Sequence, residues 1–332
     1  MTKNVARSIG RDHRQELTNR LIERMTEAVA YEKPWLSCSE PPFNPITGTR
    51  YRGVNFIATM SRGFADPRWY TFLQLKALQA SSTTPLFVRH KEEGTAIFHA
   101  RKCTFGATKK DSTSITDSDE SSSDAASPGT KSFFIHDFCA YVFNGSQIEG
   151  LTPYTAYNDE FLGQAEAELL AEAMVQSTGL TLEHRSSTRA YYAPNRDCIQ
   201  LPLKEQFKSE ALYYRTLLHE MGHATGHPSR LARDQTGQME GAGSLSLEKY
   251  AFEELIAELT SYYMGAELGL PYDAQTHDNH AAYLQSWLKS LQGDKNYLFK
   301  AAVQAGKAAD FQKVILTSYK DSCASPLALL AA

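Results

Sequence analysis

Within the stretch 213–223, YYRTLLHEMGH, the residues His219, Glu220 and His223 constrain this chain more than any others. Two histidines four residues apart fall on one face of a helix, one turn from each other. So placed, their imidazoles can share one Zn²⁺, and Glu220 can act as general base for a water activated there. The helix around them is apolar, with Leu217, Leu218 and Ala224, so an interior histidine pair and a carboxylate need a reason to be there. Gly226 can end the helix shortly after.

A hydrolytic zinc site takes three protein ligands and keeps its fourth position open. Candidates for the third ligand are His227, Ser229, Asp234, Glu253, Glu254 and Glu258. The pattern HExxHxxGxxH would put a third histidine at position 229, but that residue is Ser229. Gly226 and Pro228 stand against a helix that continues to His227. The segment AFEELIAEL (251–259) offers more: Glu254 and Glu258 lie one turn apart, as do Leu255 and Leu259 beside them. Glu254 is therefore read as the metal ligand. Glu258 is read as the acceptor of a ligating histidine's second ring N–H, which fixes its tautomer. Glu253 points about 100° away from Glu254 and is expected on a solvated face.

A chain of 332 residues is long for one core, so two domains are expected, residues 1–150 and 151–332. The net charge of −4 hides a split: residues 1–150 are at +3 and residues 151–332 at −7. Five acidic residues of the first part fall in 111–124, and without them it stands at +8. A basic first half is a nucleic-acid cue. The five cysteines are odd in number and show no CxxC spacing, which argues against a disulfide framework and for a reducing compartment. The N-terminus has no apolar run and no stretch approaches a membrane span, so a cytoplasmic protein with no membrane partner is expected.

Periodicity predicts helices over 12–30, 54–60 and 67–79, a paired set of strands over 86–89 and 95–103, and a strand from 131 to 144. Residues 107–130 are rich in Ser, Asp and Thr and are expected to form a disordered insertion between two strands. The stretch 144–153 reads as a linker. Beyond it come a helix over 160–178, strands over 180–184, 189–193 and 197–202, and the metal helix over 207–225. A helix over 247–267 follows, and then helices over 278–292, 295–304 and 307–320. The class is α+β, with a small antiparallel sheet in the first domain. The second domain's sheet edge can take an extended peptide as an added strand, which makes a protein or peptide substrate possible.

The first region interleaves cations with aromatic side chains. That mixture suits single-stranded DNA, because cations follow phosphates while aromatic faces stack on bases without reading them. The candidate contacts are Trp35, Arg50, Tyr51, Arg52, Lys76, Arg89 and Lys91.

The second region, through the HExxH helix, Ser229-Arg230-Leu231, Arg233 and the EELIAE helix, resembles gluzincin-type (zincin-like) metallopeptidase domains. It is most similar to the C-terminal domain of ArdC-type antirestriction proteins of conjugative plasmids and phages. Asn44, Thr47-Gly48, Tyr51-Arg52-Gly53-Val54-Asn55 and Trp69-x-Thr71-Phe72-x-Gln74 resemble that family's N-terminal domain, which is associated with single-stranded DNA. The resemblance implies that His219, His223 and Glu254 are ligands and Glu220 the catalytic base. The family's Gly-Glu-Lys-Gly turn is replaced here by Lys91-Glu92-Glu93-Gly94. The expected function is antirestriction by a protein that binds single-stranded DNA and carries a zinc-dependent peptidase site. Two alternatives stand beside it: a DNA-associated metalloprotease that cleaves DNA-bound proteins, and a nonenzymatic DNA-coating protein with a structural metal site.

Overall fold

A computed structural model describes residues 11–27, 40–104, 132–155, 160–235, 244–270 and 281–329. Trp35 and the acidic stretch 107–130 lie outside the described residues.

Helix α1 (His13–Glu27) buries Leu17, Leu21 and Met25, four residues apart on one face. After a loop, α2 (Gly53–Met60) buries nearly all of its short length. The expected helix over 67–79 divides in two: β1 (Trp69–Thr71) pairs with a later strand, and α3 (Phe72–Ser81) starts only at Phe72. The reason is local. Thr71 and Gln74 form a reciprocal capping box, which fixes the helix start one residue after Thr71.

Strand β2 (Phe87–Val88) does not pair with its sequence neighbour β3 (Thr95–Thr104), in contrast to the expected hairpin. β3 pairs with β4 (Ser132–Asn144), giving an antiparallel sheet of order β1-β4-β3. A bulge falls between Ile97 and Phe98. There Asn55 exchanges two hydrogen bonds with Phe98: its side-chain amide donates to the Phe98 carbonyl (2.8 Å) and its oxygen accepts from the Phe98 N–H (2.7 Å). The expected linker is partly built into the sheet region, because β5 (Ile148–Glu149) pairs antiparallel with β2.

Helix α4 (Glu160–Thr178) leads to a three-stranded sheet of order β6-β8-β7, formed by β6 (Thr181–Arg185), β7 (Tyr191–Ala193) and β8 (Cys198–Pro202). β6 runs parallel to β8 and β7 antiparallel. Then come α5 (Glu210–Ala224), α6 (Ser244–Glu267) and α7 (Ala281–Gly293). The two helices expected over 295–320 are one, α8 (Tyr297–Leu329). The fold is a mixture of helices and small, largely antiparallel sheets. Among the described residues no helix is long and apolar enough to cross a membrane.

Packing crosses the expected boundary at 150. Leu17 and Leu21 of α1, Ile57 of α2 and Phe98 of β3 share one buried cluster with Leu255 of α6, Trp287 of α7 and Phe299 of α8. Phe98 meets Phe299 edge to face at 5.1 Å between ring centres, and Phe56 meets Tyr263 at 5.3 Å. A second cluster joins α4, the β6-β8-β7 sheet and α5. The apolar faces of α1 and α2 therefore have no core of their own in the first 150 residues. In urea the full chain is expected to lose its α1/α2 and α6–α8 signals in one transition, while a fragment of residues 1–150 shows no cooperative unfolding. Two well-separated transitions in the full chain would contradict this.

Candidate metal centre

Ser209 starts α5, its hydroxyl accepting from the Leu212 N–H at 3.2 Å. From Tyr213 to Ala224 every residue of the helix is buried. α6 packs along it, and Gly222 is where the two backbones come closest. A Cβ on Gly222 would lie 3.0 Å from Ala257 Cα. The absence of a side chain there lets Glu254 and Glu258 of α6 reach the two histidines.

The result is a convergent set. His219 Nε2 and His223 Nε2 lie 3.2 Å apart, and the Glu254 carboxylate oxygens lie 3.4 Å from the first and 3.3 Å from the second. All three residues are buried, and among the described residues they form the one histidine–carboxylate grouping with metal-ligand spacing.

Each histidine has a carboxylate on its other ring nitrogen. His219 Nδ1 lies 3.1 Å from Glu258, whose other oxygen accepts from the Tyr262 hydroxyl. His223 Nδ1 lies 3.5 Å from Glu253. Glu253 thus corrects the expectation of a solvated residue: it is 3% exposed and held by Arg233, whose guanidinium donates to both its oxygens (3.0 and 2.6 Å). Helical direction alone missed this, because a segment beyond α5 covers that face of α6. The Arg-Leu-Ala-Arg segment after His227 carried the signal. Arg230 donates to the Ala224 carbonyl, Arg233 to Gly222 and Gln235 to His223, which satisfies the unpaired carbonyls at the end of α5.

Burial opposes charge on every member of the cluster, and the partners decide the outcome. Glu254 and Glu258 overcome burial at His219 and raise its pKa well above the usual imidazole value. At His223 the Glu254 charge, with hydrogen bonds to Glu253 and Glu254, raises it to about 9. The same contacts hold the Glu254 carboxyl well below its usual value against burial. Glu220 is different. Burial raises its pKa, His219 and His223 pull it down, and the nearby Glu254 charge pushes it up. The Tyr192 backbone lies beside the carboxylate and also lowers its pKa.

The other candidate ligands are elsewhere. His227 lies beyond the end of α5, where its Nδ1 sits 2.8 Å from the Ser229 hydroxyl. Asp234 pairs with Lys249 at 2.8 Å.

Two family models match this chain. Residues 11–135 match the N-terminal domain of anti-restriction factor ArdC, and residues 170–304 match a zincin-like metallopeptidase. The ArdC antirestriction protein of plasmid R388, solved metal-free, is 32% identical, with a TM-score of 0.65 over 93% of this chain and 99% of that one. The chain belongs to the ArdC antirestriction family. The Mn(II)-bound structure of the same R388 protein aligns with a TM-score of 0.61, covering 92% of this chain and 98% of that one. Among curated proteins, a DNA primase TraC of Escherichia coli is 39% identical over 90% of this chain, and the protein y4eC of Sinorhizobium fredii is 32% identical over 90% of both. The chain spans 26% and 19% of the length of the two TraC primases it matches.

In this ArdC-family chain the DNA candidates are dispersed. Arg50 and Arg52 are exposed and reach Glu267 and Asp310 at 3.6 and 3.9 Å. Lys76 is exposed on α3, and Arg89, also exposed, pairs with Glu92 at 2.9 Å. Lys91 is exposed and adopts φ +68° at the position where the family's turn carries glycine, a conformation that disfavours a side chain. Tyr51 corrects the expectation of a stacking ring: it is 9% exposed and packs with Trp69 and Val142. Among the described residues the exposed aromatic side chains are instead Phe72 (62%), Phe87 (53%) and Phe138 (41%). The rule that aromatic residues sit inside hides them; α3 begins at Phe72, which is exposed one turn from Lys76.

Gly222→Val is expected to push α6 away from α5 and to cost about 1–3 kcal/mol as overpacking does. Thermal unfolding measures this, and an unchanged melting temperature would refute the close-approach account.

Proposed function

We propose that this chain is an antirestriction protein of a mobile element that binds single-stranded DNA through its basic first 150 residues and carries a zinc-dependent peptidase site in residues 151–332. The observation that carries the peptidase half is the spacing of three ligand atoms beside Glu220. Metal–nitrogen and metal–oxygen bonds of about 2.0–2.1 Å at tetrahedral angles put neighbouring ligand atoms about 3.3 Å apart. His219 Nε2 and His223 Nε2 lie 3.2 Å apart, and the two Glu254 oxygens lie one 3.4 Å from the first and the other 3.3 Å from the second. One atom from each residue lies within 4.8 Å of the others, so His219, His223 and Glu254 fit a single ion with three protein ligands.

When bound, the ion supplies a Lewis acid that polarises a peptide carbonyl and makes water acidic enough to attack it. Glu258 and Glu253 orient the two histidines so that both Nε2 atoms face the centre. Glu220 accepts the proton of the attacking water on its carboxylate and returns it to the leaving amine. Its burial suits that exchange, since a raised pKa brings it nearer the working range of a base that must later be an acid. Glu220 lies beside the Tyr192 backbone of β7. β7 is an edge strand, beside which an extended peptide can lie as an added strand with its scissile bond near Glu220. A closed structural site would have four protein ligands, so the three-ligand arrangement favours hydrolysis over a DNA-coating role alone. A buried cluster shared by the two parts favours a peptidase that works on proteins associated with the bound DNA.

On the DNA side, the exposed Arg50, Arg52, Lys76, Arg89 and Lys91 supply phosphate contacts, and Phe72 supplies a stacking face beside Lys76. The likeness to ArdC supports this half.

Equilibrium dialysis is expected to rank the variants. Glu254→Gln and His223→Ala lose zinc, Glu253→Gln weakens it about ten- to hundredfold as loss of an orienting partner does, and Glu220→Gln retains it. Glu220→Gln then abolishes cleavage of any true protein substrate. Unchanged cleavage by Glu220→Gln would sink the base assignment.

Affinity for single-stranded DNA should exceed that for duplex and should fall with salt, the log–log slope being about −0.7 per phosphate contact. Phe72→Ala is expected to weaken single-strand binding by about 1–3 kcal/mol, whereas Tyr51→Phe is not. Equal affinities for the two DNA forms in an anisotropy titration would refute the preference.

A further inference from the structure

A pocket opens at the seam of α2, α6 and α8, lined by Arg50, Arg52, Phe56, Tyr263, Ala309 and Lys313 among others. Its floor is apolar, with Phe56 edge-on to Tyr263. The Tyr263 hydroxyl is buried and has no hydrogen-bond partner among the described residues. A buried hydroxyl normally finds an acceptor, so this one is unspent in the free protein.

The mouth is charged. Lys313 and Arg50 reach Glu267 at 3.2 and 3.6 Å, and Arg52 reaches Asp310 at 3.9 Å. Three cations face two carboxylates, which leaves net positive charge. Pairs this long and this exposed are held loosely and can be exchanged for a better anion. An apolar floor, one hydroxyl and a cationic rim match a nucleotide, whose flat base enters while its phosphates stay at the mouth.

We propose that this pocket binds one nucleotide of single-stranded DNA, the base lying against Phe56 and Tyr263 and the flanking phosphates on Arg50, Arg52 and Lys313. The proposal rests on the DNA reading above and deepens it. It brings two residues of the acidic second half, Tyr263 and Lys313, into the DNA contact, and it gives a reason for single-strand selection. A base in duplex is paired and stacked and cannot enter a pocket without leaving the helix, whereas a single strand presents it directly. Arg50 and Arg52 belong to the basic region, which favours a polyanion over a peptide as the occupant.

The test is fluorescence anisotropy on the full chain with a labelled thymidine oligonucleotide and with the same strand made abasic. Two variants probe the pocket. Tyr263→Phe removes only the hydroxyl, and Ala309→Met fills the space. Wild type should prefer the thymidine strand to the abasic one. Each variant should weaken thymidine binding about fivefold, about 1 kcal/mol, and erase that preference. Tyr263→Phe should keep the melting temperature, because its hydroxyl has no partner to lose. If wild type binds single strands and both variants bind them equally well with the preference intact, the pocket assignment is overturned while the DNA reading stands. If wild type binds no single strand, both fall. Binding of an aromatic, acidic peptide that Ala309→Met abolishes, without effect on DNA, would also overturn the nucleotide assignment.

Discussion

The approach of α5 to α6 at Gly222 and Ala257 sets the rest of the site. An HExxH helix by itself supplies two imidazoles and a carboxylate, all of which burial would penalise. Their cost is offset only if a second helix comes near enough to put its own carboxylates against both nitrogens of each ring. A glycine at the fourth position of the motif removes the side chain that would hold α6 away. With the backbones in contact, consecutive turns of α6 deliver Glu254 to both Nε2 atoms and Glu258 to His219 Nδ1, while Glu253 meets His223 Nδ1. Three glutamates of one helix thus serve two histidines of another. The contacts between the two helices follow from packing distance and register.

The segment after α5 performs two tasks with the same residues. The last carbonyls of a helix lack intrahelical partners, and here Arg230, Arg233 and Gln235 supply them. Arg233 also pairs with Glu253 and so neutralises a carboxylate that would otherwise be buried without a stable counter-charge. Helix termination and orientation of His223 are therefore one network. Replacing Arg233 would remove a partner at once from the Gly222 carbonyl, the Thr225 hydroxyl and the buried Glu253 carboxylate.

Much of this was legible in the sequence because it depends on helical spacing. The i,i+4 histidines and the i,i+4 glutamates of AFEELIAEL are local patterns, and α4, α5 and α6 run close to the expected bounds. What escaped depends on partners distant in the chain. Glu253 looked solvated because its direction on α6 was known but not what lay there. Tyr51 looked like a stacking ring because its basic neighbours were visible and the Trp69–Val142 cluster was not. The hairpin expected around Glu93-Gly94 failed for a similar reason: β2 finds its partner in β5, sixty residues on in a stretch that reads as a linker. The Thr71–Gln74 capping box, by contrast, is a local pattern, and it places the start of α3 at Phe72 rather than at residue 67.

The shared core changes how the two halves can act. α6 carries metal-site glutamates on one face and, within the same helix, Leu255 and Tyr263 that pack on the first 150 residues. Tyr262, which donates to Glu258, is the sequence neighbour of Tyr263. A close-packed helix moves as a unit, because its backbone hydrogen bonds fix the relation between its faces. Tyr263 at the seam is thus one residue from the Tyr262–Glu258–His219 contacts. One helix, α6, carries both Tyr263 at the seam with α2 and α8 and Glu258 beside His219, so the proposed nucleotide pocket and the candidate metal centre share a single element.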